Sequence, residues 1–206
     1  MLQLDSLPTE TRRLLDHLSS DAAIGCFTLI GGTALALSWG HRKSEDLDFA
    51  SPTHNLPRDA CSVILRQLED NGWQLDDISD PITRLYEENE GADNIFVLKS
   101  QLLLRRTTLR DLFDINSFLD RGKHIEDVLA AVRIEHRHCS YEQLRGRLLP
   151  NRLPATDPGL ASLVDAGPQT FEEVKAALQT HLDHYEKRLA AEILTEENLP
   201  SSRPTP

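Results

Sequence analysis

Apolar residues in PTETRRLLDHLSS (8–20) recur at helical spacing with polar residues opposite, which predicts an amphipathic helix. The pattern then shortens. CFTLI (26–30) is a continuous β-prone apolar run that ends at a glycine pair, which predicts a buried strand with Cys26 as a small core side chain. TALALSW (33–39) has helical character and stops at Gly40, a suitable C-cap. DLDFA (46–50) alternates polar and apolar, as a half-buried strand does. RDACSVILRQLEDNG (58–72) predicts a helix with a glycine stop. WQLDDIS (73–79) and ITRLYEE (82–88) read as strands joined at Asp80-Pro81, and ENEGADN (88–94) as an acidic loop.

From residue 95 the periodicity becomes helical throughout. IFVLKSQLLLRRTTLRDLFDINSFLDRG (95–122) is apolar at helical spacing over more than one helix length. HIEDVLAAVRIEH (124–136) and YEQLRGRLL (141–149) predict two further helices. PNRLPATDPG (150–159) is a proline-rich connector, and residues 169–197 predict one long amphipathic helix. The expected fold class is α/β (α+β): a small mixed sheet with flanking helices over residues 1–95, a helical region over 96–197, and a disordered polar tail over 198–206.

Composition narrows the function classes. The chain has 206 residues, 39% hydrophobic and 27% charged, an ordinary globular balance with enough apolar material for a core. Its formal charge of −11 argues against broad non-specific binding to DNA or to an anionic membrane, but not against a local basic patch. No apolar run reaches the ~20 residues of a membrane helix. No basic-then-apolar leader opens the chain, so a cytoplasmic location is expected. Cys26, Cys61 and Cys139 are widely spaced and read as reduced thiols.

The candidate chemistry concentrates in LIGGTALALSWGHRKSEDLDFAS (29–51). Asp46 and Asp48 are two apart on a predicted strand, so both carboxylates share a face while Leu47 and Phe49 point to the other. Two adjacent carboxylates repel unless a cation lies between them. Such a pair suits Mg²⁺, or Mn²⁺, completed by water and substrate phosphates. A strand, then Gly31-Gly32, then a helix from Thr33 lets backbone amides approach a phosphate closely. Ser44 offers a hydroxyl beside the carboxylates, and His41, Arg42 and Lys43 supply positive charge for a polyphosphate. Each element alone is more often structural; their order and spacing point to nucleotide chemistry.

GGTALALSWGHRKSEDLDF resembles the first motif of the AbiEii/AbiGii-type nucleotidyltransferases, members of the DNA-polymerase-β-like nucleotidyltransferase superfamily. LKSQLLLRRTTLRDLFDI (98–115) resembles a later motif of that family, through Lys99, Arg106, Arg110, Asp111 and Asp114. On a single helix Lys99, Arg106 and Arg110 would share one face. The resemblance implies that residues 1–95 form a minimal nucleotidyltransferase core. It implies that Lys99 contacts nucleotide phosphates, with Arg106 and Arg110 as further nucleotide-binding residues, and that Asp111 is a catalytic or site-ordering carboxylate. It further implies transfer of a nucleoside monophosphate from an NTP to an acceptor, RNA or tRNA in particular. It implies a toxin of a toxin–antitoxin or phage-defence system with a cognate antitoxin. The superfamily's third metal-facing carboxylate has no clean counterpart; Asp77, Glu87 and Glu88 are candidates. That opens two alternatives: a small-molecule nucleotidyltransferase of the antibiotic-modifying kind, or a non-catalytic nucleotide-binding or interaction protein of the same fold.

Three other features stand apart. His136, Arg137 and His138, with Arg133, Arg145, Arg147 and Arg152, form the most basic region of the chain; they read equally as an RNA-backbone surface or as a solvated helix pair. His181 and His184, without a cysteine partner, read as a solvent-facing stripe rather than a metal site. Trp39 and Trp73 read as core residues.

Overall fold

The computed structural model describes residues 2–51, 57–74, 92–155, 157, 159–163 and 167–197. The fold is mixed α+β and mostly helical. Among the described residues it has eight α-helices and one two-stranded antiparallel sheet. Residues 75–79 of the predicted strand 73–79, the predicted strand 82–88, residues 88–91 of the acidic loop, the third-carboxylate candidates Asp77, Glu87 and Glu88, and the tail 198–206 lie outside the described residues; Ala92–Asn94, read as the end of that loop, instead open a helix. The chain divides into two compact units, Met1–Ile95 with Ala161–Gly167, and Phe96–Leu160 with Pro168–Pro206.

Unit 1 begins with a 3₁₀ turn at Leu4–Ser6 and helix α1, Thr9–Ser19. A second 3₁₀ turn, Ala22–Cys26, leads to strand β1, Thr28–Ile30. The predicted strand 26–30 is therefore shorter than its apolar run. The Asp21 carboxylate accepts from the Ala23 amide (2.8 Å) and so caps a turn where the apolar pattern alone suggests extension. Cys26 ends that turn and is exposed, not a core side chain. β1 runs without a loop into helix α2, Gly31–Trp39. α2 buries Thr33, Leu35, Ala36 and Leu37. It stops at Gly40, whose left-handed φ of 62° closes the helix end. Strand β2, Asp48–Ala50, pairs with β1 in the register Thr28↔Ala50, Leu29↔Phe49, Ile30↔Asp48. The predicted strand 46–50 thus loses its first two residues, and Asp46 lies just before β2. Helix α3, Arg58–Asp70, follows, and Gly72 lies just past its end.

A distant segment completes unit 1. Arg42 and Ser162 form an antiparallel bridge. The Lys43 amide donates to the Ala161 carbonyl (2.8 Å), and the Leu163 amide to the His41 carbonyl (3.0 Å). These bonds pin the turn between α2 and β2 from one side, while the Ser44 amide donates to the Ser6 carbonyl (3.0 Å). Trp39 is half-buried with its ring edge-on to His41, and Trp73 is half-buried beneath the Arg13 guanidinium, so neither is a full core residue.

Unit 2 is helical. It contains most of α4 (Ala92–Arg105), then α5 (Leu109–Leu119), α6 (Ile125–Glu135), α7 (Tyr141–Leu148) and α8 (Phe171–Glu197). α5 is its centre, with nearly every side chain buried. α8 packs on α5, α6 and α7. It does so through Val174, Leu178 and Leu182, a four-residue spacing that keeps one stripe inward. Full burial of such side chains is worth about 1.5–3 kcal/mol each. Polar ties fix the rim: Arg105 to Glu135 (2.6 Å), His181 to Asp120 (2.9 Å), and Tyr141 to Glu186 (2.6 Å). Among the described residues no helix is long and apolar enough to cross a membrane.

One expectation is corrected here. Lys99, Arg106 and Arg110 do not share one helix; the helical run 95–122 divides at Arg106–Thr108. Thr108 is the N-cap of α5, its hydroxyl accepting from the Asp111 amide (3.2 Å). Lys99 and Arg110 therefore lie on different helices and Arg106 on neither, so the seven-and-four spacing does not create a shared face.

Candidate functional site

The helix start at Gly31 is the centre of the candidate site in unit 1. Gly31 has φ of 73°, a conformation that side chains disfavour. A Cβ there would stand 2.5 Å from Asp48 Oδ2. That proximity follows from the register, since Asp48 pairs with Ile30, the residue before Gly31. At Gly32 a Cβ would collide with the Arg42 guanidinium and meet Ser44 Oγ at 3.4 Å. The two glycines thus have separate purposes: one admits a carboxylate to the helix start, the other admits a guanidinium.

The hydroxyls tie this cluster together. Thr33 shares a hydrogen bond with Ser44 (2.9 Å) and donates to the Asp46 carbonyl. Thr33, Arg42 and Ser44 are all buried, whereas the Asp46 and Asp48 side chains are exposed. Arg42 also donates to the Lys43 carbonyl (3.0 Å), which bends its chain back toward α2. The N-cap of α2 is Ile30, which offers no side-chain acceptor. Its first-turn amides are left without a side-chain cap, where the positive end of the helix dipole favours an anion.

The fold thus brings Gly31, Gly32, Thr33, Arg42, Ser44, Asp46 and Asp48 to one place. Of the basic turn, Arg42 reaches the helix start, His41 is buried and Lys43 is exposed. Two exposed carboxylates, hard oxygen donors beside a helix N-terminus, fit a hydrated Mg²⁺ or Mn²⁺ that is shared with a phosphate. Among the described residues no group of three or more His, Cys, Asp or Glu side chains is assembled to hold a metal by itself.

The second block lies in unit 2 and has a different character. Lys99 of α4 extends its ammonium to Asp111 Oδ1 (2.9 Å) and Asp114 Oδ2 (3.0 Å) of α5. Lys99 is 7% exposed, Asp111 1% and Asp114 0%. Burial alone would push the Lys99 pKa down; the Asp114 and Asp111 charges and hydrogen bonds outweigh it and hold the pKa above its usual value. Asp111 also accepts from the Thr108 hydroxyl (2.6 Å), with the exposed Arg106 at 3.6 Å. Arg110 donates to the Gly159 carbonyl (3.4 Å), while the Leu109 amide donates to Asp157 (2.8 Å). Thr108 and Asp157 order this region and were not anticipated. Thr-x-x-Asp at 108–111 is a helix-start signal; Asp157, 48 residues from its partner, gives no local sign.

The glycine pair at the strand-to-helix turn and the Asp-x-Asp returning beside it fall within residues 13–90, which match the family model described as "Nucleotidyl transferase AbiEii toxin, Type IV TA system". The match supports a toxin–antitoxin nucleotidyltransferase. It covers the first motif and ends before the block at 98–115. No curated protein and no solved structure matches the chain.

Proposed function

We propose that this protein is a Mg²⁺-dependent nucleotidyltransferase. It moves a nucleoside monophosphate from an NTP to an RNA acceptor, tRNA in particular, as the toxin of a toxin–antitoxin or phage-defence pair. The observation that carries the proposal is the packing at the start of α2, where Gly31 makes room for Asp48 and Gly32 for Arg42. The family name supports a cognate antitoxin as partner.

In this reading the triphosphate lies against the first amides of α2, with the Arg42 guanidinium and the Ser44 and Thr33 hydroxyls around it. Asp46 and Asp48 would hold the metal, which supplies charge neutralisation between the phosphate oxygens. The acceptor hydroxyl oxygen forms a bond to the α-phosphorus. The bond to the bridging oxygen breaks, pyrophosphate leaves, and the hydroxyl proton is released. Such chemistry is mainly positioning and electrostatics. Lys99, Asp111 and Asp114 act here by ordering unit 2 as a neutralised buried cluster rather than by direct contact with the nucleotide.

The test is a transfer assay with Mg²⁺, each α-labelled NTP in turn and total cellular RNA, beside the Asp46→Ala, Asp48→Ala double variant. Label in an RNA band that vanishes with the variant is the expected result. Label on a small molecule alone would move the assignment to the small-molecule alternative. NTP binding without any product would leave the non-catalytic one.

A further inference from the structure

Unit 2 contains a groove of about 950 Å³ that the reaction above does not use. Its lining includes His136, Arg137, His138, Glu142, Gly146 and Arg147, from the end of α6 to α7. The surrounding stretch, residues 133–152, has five arginines against two glutamates in a chain whose formal charge is −11. This is a local inversion of sign. We propose that the groove holds the phosphate backbone of the RNA acceptor; the inference rests on the RNA-acceptor reading above.

The state of each charge supports this. Glu135 is engaged by Arg105 at 2.6 Å. Glu142 is exposed at the start of α7, where its own helix-start amide and Ser140 hold its carboxyl below the usual carboxylate range. Both glutamates are therefore already partnered by groups of the fold. Two of the arginines are also occupied: Arg133 donates to the Cys139 carbonyl (3.0 Å), and Arg145 pairs with Glu186 (3.2 Å). Arg137 and Arg147, both exposed, form no ion pair among the described residues. His136 and His138 flank Arg137 along the same lining. Gly146 faces open space, where a Cβ would meet nothing within 4 Å.

Exposed, unpaired cations along an open groove suit an extended polyanion better than a single small anion. A small anion would call for buried, converging donors. Phosphate contacts of this kind add affinity without reading sequence, and they give it a steep salt dependence.

The experiment measures binding of fluorescently labelled tRNA to the full chain by anisotropy at several salt concentrations. Wild type is compared with Arg137→Glu/Arg147→Glu and with the milder Arg137→Gln/Arg147→Gln. Polyglutamate serves as a competing acidic polymer, and Mg²⁺-dependent NTP binding is measured in parallel. The expected result is an affinity loss of about tenfold or more for the Glu pair, a smaller loss for the Gln pair, and a fall of about 2 in the salt slope. NTP binding stays unchanged. If wild type labels and binds RNA and the Glu pair does so equally, the groove assignment is overturned and the proposed function stands. If wild type neither binds nor labels RNA, the RNA-acceptor reading is overturned and the groove with it. Polyglutamate displacing RNA at equal charge concentration would instead mark the groove as a site for an acidic protein.

Discussion

Each unit of this protein sets two aspartates close together in sequence, and the two pairs have opposite fates. Asp46 and Asp48 stand exposed beside a helix start, and Asp48 occupies the space that Gly31 leaves clear. Asp111 and Asp114 are buried, with the Lys99 ammonium within 3.0 Å of each. The difference is one of solvation. An exposed carboxylate pair keeps its water and can exchange it for a cation or a phosphate-bound ion. A buried pair has lost its water and is stable only with a permanent counter-charge. Similar spacing therefore gives an exposed pair in one unit and a buried, ion-paired one in the other.

The largest effect should come from Asp46→Asn with Asp48→Asn. Transfer activity should fall by more than about a hundredfold, beyond the usual effect of losing a supporting partner of a metal ligand. Stability should fall by no more than about 1 kcal/mol, the worth of contacts made by exposed carboxylates. Urea denaturation and the transfer assay on the same preparations check this. A large stability loss with activity retained would erase the contrast between the pairs.

Lys99→Met tests the other side. It strands two buried carboxylates, and a loss of about 3–5 kcal/mol is expected. Adding Asp111→Asn and Asp114→Asn should recover part of that loss, because the uncompensated charge is then gone. A Lys99→Met midpoint equal to wild type would mean the cluster is not the tie described here.

Gly31→Ala is expected to cost about 1–2 kcal/mol from its left-handed backbone. It should impair transfer more than that figure suggests, since its Cβ would displace the Asp48 carboxylate. Thr108→Ala is a smaller perturbation, about 1 kcal/mol for a lost helix cap, and leaves the unit 1 site untouched.

The pH dependence sharpens the comparison further. The Lys99 pKa is raised on folding, so its contribution to stability is complete below the unfolded-chain value, near 10.5. It is lost as pH rises through the higher folded value. An alkaline unfolding limb should thus shift to lower pH in Asp114→Asn and stay in place in Asp46→Asn. A smaller acid-side effect belongs to Glu173, whose carboxyl is held low first by the Gln169 amide and then by the Thr170 amide and hydroxyl. Its contribution is present above the unfolded-chain value and fades as pH falls through the lowered one.

Much of the molecule was legible from local pattern. Helical spacing located α1, α3, α6, α7 and α8 to within a residue or two, and Gly40 marked the end of α2. These are short-range properties: a 3.6-residue period and a glycine's tolerance of positive φ are written in neighbouring residues. The motif at 29–51 was legible for the same reason, because one turn and one hairpin-like return hold its parts within about twenty residues. Where two local signals competed, pattern failed. Asp21 turned the start of an apolar run into a 3₁₀ turn, and Thr108 split what spacing alone joined into one helix.

The sequence by itself thus determined the helices, the glycine turn and the order of residue types around it. Only the tertiary structure decided which charges are neutralised. Nothing local tells that Asp111 and Asp114 face Lys99 across two helices, or that residues 161–163 return to clamp the basic turn at 41–43. Burial and counter-charge are set by contacts between distant segments, and a carboxylate's role depends on how much water those contacts leave it.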